Sequence, residues 1–72
     1  MNTELLKSAK MRVPNVSVLI NMVLQRVRQL INGQRPLVKP LNSDEDLEDI
    51  ALREIAEGKI IAEIDFSKSN DD

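Results

Sequence analysis

The sequence contains no cysteine and no histidine. The first absence excludes disulfides, thiolate metal sites and a cysteine nucleophile. The second removes the commonest zinc ligand and the side chain that shuttles protons near neutral pH. Tryptophan and tyrosine are also missing and Phe66 is the single aromatic residue, so there is no platform on which nucleic-acid bases could stack. The two glycines, Gly33 and Gly58, stand far apart at what read as helix ends, which leaves no glycine-rich phosphate loop. Ser17 has no base candidate near it in sequence. The carboxylates are plentiful but fall in a charged run where solvation is the default. A chain of 72 residues is also too small to wall off readily the pocket of roughly 300 Å³ or more that small-molecule sites occupy. Catalysis, a metal and a cofactor are therefore not expected.

Long apolar runs are equally scarce. The longest nearly uncharged stretch, residues 13–25, falls short of the roughly 20 residues needed to span a bilayer and carries Pro14, Asn15 and Asn21. The first twelve residues contain Glu4, Lys7, Lys10 and Arg12 and no apolar core of a secretory signal. The expectation is a soluble, cytoplasmic chain. Its net charge of −2 conceals an asymmetry: residues 1–40 carry seven basic residues against Glu4 alone, and residues 41–72 carry eleven acids against Arg53, Lys59 and Lys68. Such a split can mark a nucleic-acid-binding half. The plainer reading is attraction between the halves or to a partner, because the basic residues are dispersed and no aromatics interleave with them.

Local patterns define three helices. Residues 3–10 predict a short one, with Thr3 as N-cap and Leu5, Leu6 and Ala9 as an apolar edge. Pro14 ends it by pushing the preceding residue out of the helical region. Residues 16–31 predict the main helix. At about 100° per residue, Val16, Leu19, Ile20, Val23, Leu24, Val27, Leu30 and Ile31 share an arc about 140° wide, the expected core stripe. Asn32 and Gly33 are the stop, and Arg26 and Arg28 suit the negative end of the helix dipole. Val18 and Met22 fall outside the stripe, one turn apart, and mark a second contact surface.

Residues 34–41 contain Pro36 and Pro40 and read as an extended crossing segment anchored by Leu37 and Val38. Ser43 with Asp46 is a weak capping-box match opening a third helix that runs to about Glu57. Leu47, Ile50, Ala51 and Ile55 line its core side, Asp49–Arg53 and Arg53–Glu57 have i,i+4 spacing, and Gly58 is the C-cap. Residues 60–66 then alternate Ile60, Ala62, Ile64 and Phe66 in a strand-like pattern. Residues 67–72 are a polar, acidic tail expected to be disordered. The fold class is thus all-α: a small bundle of about three helices, with an extended Pro-containing crossing segment and a strand-like or irregular C-terminal segment. The second and third helices are expected to form the core. A chain below about 70–80 residues with no staple usually needs a partner, so marginal stability in isolation is expected.

One stretch says more than composition. Residues 50–60 read IALREIAEGKI. Before them, in order, stand Val13-Pro14-Asn15, then Arg26-Val27-Arg28-Gln29 at the end of the main helix, then Arg35-Pro36-Leu37-Val38. This order over residues 13–61 resembles the omega subunit of bacterial RNA polymerase, whose pattern is a "VPNRF-LV" turn into a helix ending "RARQ", a "KPLV" segment and "ALREIAEGKI". Val16 and Ser17 replace an arginine and an aromatic, Met22, Val23 and Leu24 replace alanines, and the acids from Asp44 to Asp49 replace Lys-Pro-Thr, so the chain looks like a divergent member.

The resemblance implies a non-catalytic subunit that binds the largest polymerase subunit, β′, and promotes its folding and assembly into the enzyme. The expected domain organisation is an omega-like helical domain over residues 1–66, followed by the disordered acidic tail at 67–72 that composition gives. The second helix and ALREIA should face β′, and the expected partner-binding residues are Val18, Met22, Arg26, Arg28, Leu52 and Arg53. No direct sequence-specific nucleic-acid contact and no membrane contact are expected. Some omega subunits contribute a basic N-terminal residue to an alarmone site. Thr3 stands at that place here, between Asn2 and Glu4, and a neutral residue beside an acid is a poor phosphate contact, so that site is not carried over. The alternative function is a free-standing helical DNA-binding or antitoxin-like module using the basic half.

Overall fold

The computed structural model describes residues 2–41 and 44–60. Among these residues the protein is all-α, with α1 at Thr3–Arg12, α2 at Val16–Ile31 and α3 at Leu47–Ala56. Polar caps set where each helix starts. Asn2, not Thr3, is the N-cap of α1: its Oδ1 accepts from the backbone N–H groups of Glu4 (2.9 Å) and Leu5 (3.1 Å). Asn15 caps α2 in the same way, accepting from Val18 N at 3.1 Å, and so satisfies a first-turn donor that would otherwise lack a partner. The third helix starts later than residue 43. Asp46 precedes it without a side-chain capping bond, and Ser43 lies outside the described residues. The early acids do not extend the helix because Glu45 is held elsewhere, by Arg53 and by Leu41 N.

Both long-range exits are glycine turns, as the sequence predicts. Gly33 N donates to Leu30 O (3.1 Å) and Gln34 N to Gln29 O (3.1 Å), while Gly58 N donates to Ile55 O (3.0 Å) and Lys59 N to Glu54 O (2.8 Å). This paired pattern needs a residue at positive φ just past the helix, and Gly33 and Gly58 sit at φ 103° and 75°.

The core differs from the expected two-helix contact, because α1 packs more extensively against α3 than α2 does. The two helices run side by side in parallel. At their heads Asn2 N donates to Asp49 Oδ1 (2.8 Å), and at their tails the Arg12 guanidinium lies against Gly58. Ala9, Val13, Leu19, Val23, Ala51, Leu52 and Ile55 form the buried cluster, flanked by Leu5, Leu6, Val18, Met22, Val27 and Ile60. Ala9 and Ala51 are fully buried, and small side chains there let helices approach closely. Ile60 is the only residue of the predicted strand-like segment among those described; residues 61–72, with the acidic tail, lie outside them.

The main helix is rotated relative to its expected stripe. Leu19, Val23 and Leu30 are buried, but Val16, Ile20, Leu24 and Ile31 are exposed. In their place Arg26 turns inward, and Val18 and Met22 pack against the core. The buried arc is displaced by roughly 60° on a helix of 100° per residue. The cause is an ion pair between α2 and α3. Arg26 Nε and Nη2 donate to Glu54 Oε1 (2.6 Å) and Oε2 (3.2 Å), with Arg26 6% and Glu54 0% exposed. Arg26 Nη1 also donates to Gln29 Oε1 (2.9 Å) and Gln34 Oε1 (3.1 Å), and Nη2 to Arg35 O (3.0 Å). These bonds fill the donor capacity of a guanidinium. Glu54 Oε2 accepts a further bond from Leu37 N at 2.7 Å.

Two tests follow from these contacts. Glu54→Ala leaves the Arg26 cation buried without its counter-charge and should cost about 3–5 kcal/mol, a large part of a small domain's stability. A urea titration followed by circular dichroism measures it, and Arg26→Lys should not be tolerated much better, since lysine lacks the fork. Gly58→Ala places a β-carbon at positive φ, 2.7 Å from Arg12 Nη1. The left-handed backbone alone should cost about 1–2 kcal/mol, read as a lowered melting temperature.

Candidate partner-binding surface

The crossing segment is fastened to α3 at two points. At the first, Glu54 and Arg26 hold Leu37 N and Arg35 O. At the second, Arg53 Nη1 and Nη2 donate to Glu45 Oε2 (2.6 Å) and Oε1 (3.2 Å), Nη2 also reaches Lys39 O (2.8 Å), and Glu45 Oε1 accepts from Leu41 N (2.9 Å). The segment is therefore held by its backbone groups. Leu37 is not the apolar anchor its sequence position suggests, since its side chain is exposed, while Val38 is half-buried. Two prolines keep these residues out of a helix, which leaves the main chain available to the charged side chains of α2 and α3.

This geometry corrects several premises of the expected partner surface. Leu52 is fully buried, so it has an intrachain reason to be apolar; α3 buries Ile50, Ala51, Leu52 and Ile55, whereas Leu47 lies at the exposed margin. Arg53 does not form its i,i+4 pairs with Asp49 and Glu57. It is held by Glu45, because the segment before α3 folds back over it, and Asp49 accepts from Asn2 N instead. Arg26 is not an exposed dipole partner but the centre of a buried network. Val18 and Met22 flank the core. Arg28 is exposed in the last turn of α2.

What remains on the outside is an apolar row the sequence placed inside. Val16, Ile20, Leu24 and Ile31 are 50%, 38%, 54% and 68% exposed and lie within an arc of about 80° along α2. On one side the row borders the buried face; on the other stand Ser17, Asn21 and Arg28, all exposed. An apolar strip of this kind, rather than scattered apolar residues, is a candidate interaction surface. The signal that could have found it is Arg26: a paired arginine on the inner face forces the stripe to divide.

Among the described residues no group of histidine, cysteine or carboxylate side chains is placed to hold a metal ion. None of the described helices is long and apolar enough to cross a membrane.

Comparison with known proteins identifies relatives of the chain. The RNA polymerase Rpb6 family model matches residues 12–61. The chain is 40% identical over 58 residues to a DNA-directed RNA polymerase subunit omega of Trichlorobacter lovleyi, covering 81% of this chain and 82% of that one. It is 41% identical over 58 residues to the subunit omega of Helicobacter hepaticus, covering 79% and 78%. No solved structure gives a significant match. The matched span takes in both clamps and the whole of α2 and α3. The chain belongs to the RNA polymerase Rpb6 family, as an omega-subunit-like, non-catalytic protein.

Proposed function

We propose that the protein is an accessory subunit of bacterial RNA polymerase that acts in the cytoplasm, binds the β′ subunit and promotes its folding and assembly into the enzyme. The observation that carries this reading is the exposed row on α2 in a chain similar to omega subunits. Apolar surface that the chain itself does not cover favours association, because covering it removes it from water. The small core points the same way: binding to the folded form alone raises apparent stability by mass action.

The rival reading, a free-standing DNA-binding or antitoxin-like module, draws on the basic N-terminal half. Arg26 belongs to that half and is committed to Glu54, and the remaining basic residues are not gathered on α2. Strongly salt-dependent DNA binding by the isolated protein would favour that alternative.

The test is co-purification. A tagged copy expressed in its own host should recover β′ and the rest of the core enzyme, and its melting temperature should rise when β′ is present. Recovery of no polymerase subunit would reject the reading. Arg53→Ala separates fold from contact. With its intrachain bonds to Glu45 and Lys39 removed, it should lower stability by about 1.5–3 kcal/mol, measured by thermal melting of the free chain.

A further inference from the structure

We infer that the row of Val16, Ile20, Leu24 and Ile31, with Arg28 at its margin, is a seat for an acidic amphipathic helix of the partner. The inference rests on the reading of the chain as a polymerase subunit and names the chemistry of the segment it takes.

Three observations carry it. First, the row lies on a helix whose backbone is already hydrogen-bonded along its length. A partner laid on it finds no free N–H or C=O edge to pair with. An extended segment would keep its own backbone groups unsatisfied in the contact, whereas a helix satisfies them internally. Second, the apolar positions recur at four-residue steps from Val16 to Leu24 and resume at Ile31. Val16, Ile20 and Leu24 form a ridge that continues at Arg28, with Ile31 on the neighbouring row, and such a ridge fits the groove of a second helix. Third, α2 contains no carboxylate at all, and Arg28 stands exposed beside the row. Arg26, the other cation of α2, is neutralised inside. The face is therefore apolar with a positive margin, and its complement is an apolar stripe flanked by Asp or Glu.

The same charge pattern argues against a second copy of this chain as the occupant. With the two-fold axis along α2 the two faces would lie parallel and bring one Arg28 toward the other; with the axis across it they would lie antiparallel and bring Arg28 toward the first turn of the other helix. That turn carries no acid and the positive end of a helix dipole.

The experiment uses the full chain with a photoreactive side chain in place of Leu24, co-expressed with β′, and maps the crosslinked peptide by mass spectrometry. The inference expects a β′ peptide with apolar residues at three- and four-residue spacing and carboxylates beside them. Ile20→Glu and Leu24→Glu should each reduce recovery of β′ by about tenfold or more with helix content unchanged. Arg28→Gln should weaken binding less and flatten its dependence on salt. A crosslink to a second copy of this chain, to a peptide without that pattern, or no crosslink while β′ is still recovered would overturn the inference and leave the polymerase reading intact. If the unsubstituted chain recovers no β′, the polymerase reading and the inference resting on it both fall.

Discussion

The Arg26–Glu54 pair is the constraint on which the rest depends. It joins α2 to α3, and through Gln34, Arg35 and Leu37 it joins both to the crossing segment. Both charges are out of water, and no buried side-chain polar atom among the described residues lacks a partner. A buried pair stabilises little relative to a well-packed apolar substitute, but half of one is costly. The arrangement therefore penalises every packing of α2 that separates Arg26 from Glu54. A rotation that buried the whole apolar stripe would do that, so the helix settles with half of its stripe inside and half outside.

The adjacent Arg53 extends the same logic. With Glu54 it supplies two neighbouring charged side chains of α3 that grip the main chain of the crossing segment, Glu54 at Leu37 N and Arg53 at Lys39 O. Prolines at 36 and 40 suit such a strap because they prevent helix formation and need no donor partner. The ALREIA stretch divides cleanly: Ala51, Leu52 and Ile55 fill the core, and Arg53 and Glu54 fasten the strap.

The outer row of α2 is exposed because the inner face is taken by Arg26 and its neighbours. The cost is a small core with uncovered apolar surface, which suits a protein that works within an assembly. The parallel docking of α1 on α3 supplies what the core lacks in size, since Ala9 and Ala51 permit close approach.

The elements were legible from the sequence because they depend on local chemistry. Pro14 separates α1 from α2, the span of α2 matches residue for residue, and Gly33 and Gly58 mark the exits. Capping was less legible. Asn2 rather than Thr3 caps α1, since either side chain can accept the bond and only the chain path chooses. The order of short motifs pointed to the family whose model matches residues 12–61. The rotation of the helices about their axes was not legible. Periodicity assigns apolar residues to one side of a helix but carries no term for an arginine whose counter-charge lies 28 positions away. It therefore set Val16, Ile20, Leu24 and Ile31 inside and Val18, Met22 and Leu52 off the core, the reverse of their burial. Sequence fixes what each residue can offer within a few positions of itself; rotation of a helix about its axis, and the pairing of charges across the fold, are decided only when the burial of the whole molecule is satisfied at once.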